Sequence, residues 1–206
     1  MTKVKICGIT NIKDATDAVN LGADMLGFIF YKKSKRYVEP RIVREIINEL
    51  APQVRKVGVF VDEDAQTVLA VASDCGLDTL QFHGDETPEY CAAFEDNYKV
   101  IKAFRIKDKG SLKGVNAYNV DYYMLDTYSE ALKGGTGKPF DWKILKDFEL
   151  LKPVILSGGL TPDNVEKAIE EVAPFGVDAS SGVETSPGKK DIHLVGKFID
   201  NVRKAG

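Results

Sequence analysis

Short runs of apolar and β-branched residues alternate along the chain with stretches whose apolar positions recur every three or four residues. The β-rich runs are Lys3 to Cys7, Met25 to Phe30, Lys56 to Val61, Thr79 to His83, Val100 to Arg105, Tyr122 to Thr127, Pro153 to Ser157 and Val177 to Ser180. The helical stretches between them open on residues that favour a helix start. Pro40 precedes Val43, Ile46, Ile47 and Leu50, and Thr87-Pro88, Asp141-Trp142, Thr161-Pro162 and Asp191-Ile192 follow the same logic. Ile106 to Asn119 has no clean apolar period, which predicts a short or irregular helix there. Eight βα repeats imply parallel strands joined by right-handed crossovers. An open doubly wound sheet fits less well, because no GxGxxG follows the first strand and eight strands are what side chains just fill in a closed barrel. The expected fold is α/β, a (β/α)8 (TIM) barrel, with residues 1–206 as a single domain near the lower size limit for that architecture.

Charge and composition narrow the partners. Lys+Arg 28 against Asp+Glu 31 gives a net charge of -3, so no basic stripe is available to a phosphate backbone and nucleic acid is not an expected partner. The N-terminus passes from Met1 straight into a strand, and no apolar run reaches membrane-spanning length. The expected location is cytoplasmic, with no membrane partner. Three cysteines without framework spacing suit a reducing compartment, and two histidines leave little material for a metal site. Nothing in the sequence specifies an oligomeric partner.

In a barrel of this kind the chemistry sits at the C-terminal ends of the strands. Those windows hold Cys7, Phe30 to Arg36, Val61-Asp62, His83-Gly84-Asp85, Arg105, Asp126 to Gly137, Ser157-Gly158-Gly159 and Asp178 to Gly182. Cys75 and Cys91 lie on apolar helical faces and read as core. Cys7 runs instead into Gly8 and the polar pair Thr10-Asn11, and its position leaves packing and catalysis equally open. After strands seven and eight, Gly158-Gly159 and Ser180-Ser181-Gly182 offer backbone N–H groups to an anion, as phosphate loops of such barrels do. Gly134-Gly135-Thr136-Gly137-Lys138 lacks the spacing of a nucleotide loop, and Pro139 stands where Ser or Thr is required. Asp126 closes strand six. It reads either as a cap or salt-bridge residue or, with burial raising its pKa, as an acid. Lys5 shares the inward parity of Cys7 and needs a carboxylate, for which Asp178 is the candidate.

Taken in order, Lys5-Ile6-Cys7-Gly8-Ile9-Thr10, Ser34-Lys35-Arg36-Tyr37-Val38, Val57-Gly58-Val59-Phe60, Gln81-Phe82-His83-Gly84-Asp85-Glu86, Leu125-Asp126-Thr127, Gly134-Gly135-Thr136-Gly137, Leu156-Ser157-Gly158-Gly159-Leu160 and Val177-Asp178-Ala179-Ser180-Ser181-Gly182-Val183-Glu184 resemble the phosphoribosylanthranilate isomerase family over nearly the whole chain. One departure is Lys35, where proline is common before the family's arginine.

The resemblance implies an Amadori rearrangement in tryptophan biosynthesis, without a cofactor, on an anionic phosphosugar. An acid opens the ribose ring to an iminium and a base removes the C2 proton. By resemblance Asp126 is the acid and Cys7 the base, and the iminium acidifies the C2–H bond enough for a thiolate to act. His83, Asp178 and Arg36 are expected to bind substrate: His83 as a polar wall, Asp178 by orienting the amine, and Arg36 by meeting the anthranilate carboxylate with its planar fork. Gly158, Gly159, Ser180 and Ser181 are expected to hold the phosphate. A metal-dependent phosphosugar epimerase would want several histidines at strand ends, and His83 is the one there. A non-catalytic scaffold would predict loss of Cys7 or Asp126, and both are present. The related histidine-pathway Amadori step typically uses paired aspartates, so Cys7 favours the anthranilate substrate.

Overall fold

A computed structural model describes residues 1–127, 140–145 and 148–206. Strands β1 (Lys3–Cys7), β2 (Met25–Ile29), β3 (Arg55–Phe60), β4 (Thr79–Phe82), β5 (Lys99–Ile106), β6 (Tyr122–Thr127), β7 (Val154–Leu156) and β8 (Gly176–Ala179) form a closed barrel in sequence order. Every neighbouring pair is parallel, and β1 seals the ring by pairing with both β2 and β8. Helices α1 (Ile12–Asn20), α2 (Pro40–Asn48), α3 (Ala65–Cys75), α4 (Pro88–Ala92), α5 (Val165–Val172) and α6 (Ile192–Ala205) lie among the crossovers.

The helix starts obey local chemistry. Pro40 occupies the first turn of α2, Thr87 caps α4 through Tyr90 N–H, and Asp191 caps α6 through the N–H groups of His193 and Leu194. Two expectations need correction. The stretch expected to begin at Thr161-Pro162 becomes helix only at Val165, because Thr161 N–H donates to Asn164 Oδ1 at 2.8 Å and Asn164 Nδ2 donates to Gly159 O at 2.9 Å. Those two bonds fold the Thr161–Asn164 segment into a side-chain-closed turn before the helix can start. Among the described residues, Asp141-Trp142 opens a single 3-10 turn, Trp142–Leu145, rather than an α-helix. Among the described residues there are therefore six α-helices. Between β5 and β6 the connection is two short 3-10 turns, Lys109–Leu112 and Val115–Ala117, matching the missing apolar period.

The core has two layers. Between strands and helices packs a large cluster that includes Val4, Ile6, Leu26, Phe28, Phe82, Tyr123 and Phe198. Inside the barrel lies a smaller one, Met25, Val57, Ile101, Ala103, Met124 and Ile155. Two residues beyond Met124 and Ile155 the interior turns polar at Asp126 and Ser157, and Gln81 on β4 and Asp178 on β8 are buried as well. The apolar plug thus closes the lower barrel and leaves functional groups at the C-terminal mouth. Cys75 and Cys91 are buried on α3 and α4. An antiparallel ribbon, β9 (Glu184–Ser186) and β10 (Lys189–Lys190), is inserted between β8 and α6. Among the described residues, no helix is long and apolar enough to cross a membrane.

Candidate active site

Parity on β1 points Lys5 and Cys7 into the barrel, and register decides what they meet. Lys5 is the direct partner of Asp178 on β8, and its Nζ lies 2.7 Å from Asp178 Oδ1 with both side chains buried. Asp178 Oδ2 accepts a hydrogen bond from Ser157 Oγ at 2.9 Å, so the carboxylate is satisfied on both oxygens. Burial works against the Lys5 ammonium, but Asp178 and Cys7 outweigh it and its pKa is raised. The side chain stays a cation inside the barrel.

That cation shares its space with the thiol. Cys7 is in register with Gly27 on β2, and a Cβ at position 27 would lie 2.7 Å from Cys7 Sγ and 3.1 Å from Lys5 Nζ. Gly27 is bare because the thiol and the ammonium fill the volume a side chain would need. Burial pushes the Cys7 thiol above its ordinary value, Lys5 and Lys190 pull it down, and Asp178 adds to the rise. The resting form is the thiol, held beside a cation that favours its ionised form.

Around the barrel, Asp126 ends β6 three strand steps from β1 by way of β7 and β8, and five by the other route. Its Oδ1 accepts the N–H of Thr127 at 2.7 Å, and its Oδ2 lies 3.1 Å from His83 Nε2. His83 Nδ1 in turn lies 2.9 Å from Gln81 Nε2. Gly158, at φ 86, presses its backbone against the acid, since a Cβ there would lie 2.3 Å from Thr127 N and 2.7 Å from Asp126 Oδ1. No L side chain fits that position.

Arg36 lies at the same mouth but is already engaged. Its Nε bonds both oxygens of Glu184, at 2.9 and 3.0 Å, and Nη2 reaches Oε2 at 2.7 Å. Glu184 also receives Lys190 Nζ at 2.7 Å, and the same ammonium donates to the carbonyl oxygens of Cys7 and Ser180. Burial would raise the Glu184 pKa, yet the two cations hold it below the ordinary value. Two cations against one carboxylate leave the corner a net positive charge. Arg36 Cδ and Ser180 Oγ both crowd Gly8, at 2.7 and 3.2 Å from a Cβ placed there, so the loops after β1, β2 and β8 converge.

Cys7, Asp126, His83 and Asp178 thus line the mouth, Arg36 sits at its rim, and Gly158, Gly159, Ser180 and Ser181 occupy the adjoining loops after β7 and β8. The Gly134-Gly135-Thr136-Gly137 segment lies outside the described residues. Gln81, Ser157, Glu184 and Lys190 were not singled out from the sequence as site residues. For Gln81 and Ser157 the inward parity of their strands was a usable signal. For Lys190 the turn residues Pro187-Gly188, between Glu184 and Lys190, could have marked a hairpin.

Residues 4–201 match the family described as N-(5'phosphoribosyl)anthranilate (PRA) isomerase. The chain belongs to the phosphoribosylanthranilate isomerase family. It is 48% identical over 204 residues to the N-(5'-phosphoribosyl)anthranilate isomerase of Geobacter sp. (strain M21), covering 99% of both chains. Its fold superposes on the Thermotoga maritima phosphoribosylanthranilate isomerase crystal structure with a TM-score of 0.91 at 43% identity, covering 99% of this chain and 100% of the other. A second phosphoribosylanthranilate isomerase structure, in complex with reduced 1-(o-carboxyphenylamino)-1-deoxyribulose 5-phosphate, matches with a TM-score of 0.87 at 41% identity, covering 99% of this chain and 100% of that one.

Proposed function

We propose that this protein is a phosphoribosylanthranilate isomerase: an aldose-ketose isomerase of the Amadori type, which converts N-(5-phosphoribosyl)anthranilate to 1-(2-carboxyphenylamino)-1-deoxyribulose 5-phosphate in tryptophan biosynthesis. Family membership and the bound ligand of the related complex support the substrate. The observation that carries the mechanism is a thiol beside a buried ammonium on β1, facing a hydrogen-bonded carboxyl on β6 across one mouth.

Asp126 gives a proton to the ribose ring oxygen as the bond from C1 to that oxygen breaks. The bond's electron pair stays on oxygen, and the nitrogen lone pair forms the C1=N iminium. The Cys7 thiolate then takes the C2 proton, the C2–H electrons make C1=C2, and nitrogen recovers its lone pair. The resulting enolamine becomes the ketone when C1 takes up a proton, the C1=C2 electrons forming the new C1–H bond, and the C2 hydroxyl gives up its proton to solvent as C2=O forms. Burial keeps Cys7 protonated at rest, so the loss of its thiol proton to solvent depends on Lys5 and on the iminium cation formed next to it. Ring opening therefore prepares the base for the second step.

Asp178 holds Lys5 and orients the substrate amine, while His83 orients Asp126. The phosphate lies between Gly158-Gly159 and Ser180-Ser181, and the anthranilate carboxylate lies at Arg36. Lys190 remains on Glu184 when Arg36 turns toward that carboxylate, so Glu184 is never left buried without a cation. The location expected for such a chain is the cytoplasm.

The test is a coupled assay with freshly made phosphoribosylanthranilate, following the loss of anthranilate-type fluorescence. Loss at the uncatalysed rate in the presence of micromolar protein would end the proposal.

A further inference from the structure

The hydrogen-bond chain behind Asp126 has one loose end. Gln81 is buried, with 1% of its surface exposed, and its Oε1 has no hydrogen-bond partner among the described residues. Among the described residues its amide is held by the contact of Nε2 with His83 Nδ1 at 2.9 Å. A buried amide oxygen left unpaired is costly, and such atoms in a native site call for an explanation.

The explanation lies in what each face of the amide does to the imidazole. With Nε2 toward the ring, Gln81 donates to Nδ1. The ring's own hydrogen is then on Nε2, pointing at Asp126 Oδ2 at 3.1 Å. A proton gained by the pair in that arrangement sits on Asp126, as an acid requires. Turned over, the amide offers Oε1 to an Nδ1–H, and the ring becomes an imidazolium facing an Asp126 carboxylate. The two arrangements contain the same protons in different places. Delivery to the ribose ring oxygen leaves, from either one, a neutral ring beside a carboxylate, one proton fewer, to be restored from solvent.

We propose that Gln81 is a positioning residue whose amide, held through its hydrogen bond to His83, serves both protonation states of the His83–Asp126 pair and sets the pH at which Asp126 stops being an acid. This rests on the reading of Asp126 as the acid.

Among the described residues, the charged groups on the surrounding elements are engaged elsewhere than at Nδ1. Arg105 on β5 is in register with Asp126 and is ion-paired with Asp85. Asp62, after β3, accepts Asp85 N–H at 2.6 Å. Behind the His83 loop, Glu86 is paired with buried Lys102. On β1 and β8, Lys5 and Asp178 are paired with each other, and β7 contributes the neutral Ser157.

Substitutions at position 81 should therefore move the titration in opposite directions. In Gln81→Glu, a carboxylate accepts Nδ1–H, favours the imidazolium and raises the midpoint by about one pH unit or more, the effect of an opposite charge in contact. In Gln81→Met, a similar volume offers no acceptor, the charged ring loses its partner and the midpoint falls. The chain has two histidines, so 15N labelling in a His193→Gln background leaves His83 as the only imidazole signal.

NMR titration without substrate is expected to show protonated Nε2 and bare Nδ1 on the alkaline side, with midpoints ordered Glu, Gln, Met. The alkaline limb of kcat should follow the same order. An Nδ1–H neutral tautomer in the unsubstituted protein, unmoved midpoints, or equal shifts of one sign in both variants would overturn the proposal. Midpoints that move while the alkaline limb stays fixed would leave Gln81 tuning His83 but remove Asp126 as the acid, so the two failures are distinguishable.

Discussion

Replacing Lys5 by Met separates the ammonium's two tasks, holding Asp178 and favouring the Cys7 thiolate. Lys5 has no exposed surface, and its Nζ is 2.7 Å from Asp178 Oδ1. Removing one member of a buried ion pair costs about 3–5 kcal/mol, because the survivor is left uncompensated. That is a large share of the roughly 5–15 kcal/mol that holds a typical domain folded. Thermal melting should fall sharply in Lys5→Met and recover in part in Lys5→Met/Asp178→Asn, where no lone charge remains. Activity should behave differently. An adjacent opposite charge is worth about one to three pKa units, so losing Lys5 raises the already elevated Cys7 pKa by that amount. The thiolate is the working form, so the acidic limb of kcat/KM shifts upward. Near neutral pH the rate of Lys5→Met should fall by a factor of about 10 to 1000, and the thiolate deficit should be smaller in the double variant, which also loses the Asp178 charge that raises the Cys7 pKa. The deficit should narrow as pH rises toward the Cys7 pKa, in the fluorescence assay run across the alkaline range. A loss in Lys5→Met that stayed constant with pH would show that Lys5 acts on Asp178 alone.

Cys7→Ala should nearly abolish turnover while product affinity, measured by fluorescence titration, stays largely intact, since the thiol acts on a C–H bond in the transition state. Asp126→Asn should lose turnover without loss of fold, and an alkaline limb surviving in that variant would belong to another group. Arg36→Met should weaken binding of the anthranilate substrate far more than of an analogue lacking the ring carboxylate, and equal losses would assign Arg36 another role. Gly158→Ala should lower kcat, because its Cβ would collide with Thr127 N and Asp126 Oδ1 and push them aside, and an unchanged kcat would refute that packing.

Repetition made the barrel legible: each strand shows as a β-rich run, and β6 was bounded to the residue at Tyr122–Thr127. Helix starts set by one capping residue were equally plain, as at Pro40 and Asp191. The start at Val165 was hidden because Asn164 closes a turn through its side chain, which hydrophobic period does not record. Parity and the need to pair a buried ammonium gave the Lys5–Asp178 contact before any coordinates. The Glu184–Lys190 corner was not legible, since it depends on a ribbon folding Lys190 back over the Cys7 carbonyl, 183 residues away in sequence.

The Lys5–Asp178 pair also constrains how the chain reaches its fold. Its members are 173 residues apart, on the first and last strands of the ring. A partial barrel that tucked β1 into an apolar interior before β8 arrived would bury an ammonium with no counterion, a state far costlier than leaving the strand wet. Incomplete rings are thereby disfavoured, and the entropy of closing so long a loop is spent in the same event that satisfies the charge. A nascent chain released before β8 has emerged should keep β1 solvated and open, so the thiol is enclosed only in molecules whose β8 has been made.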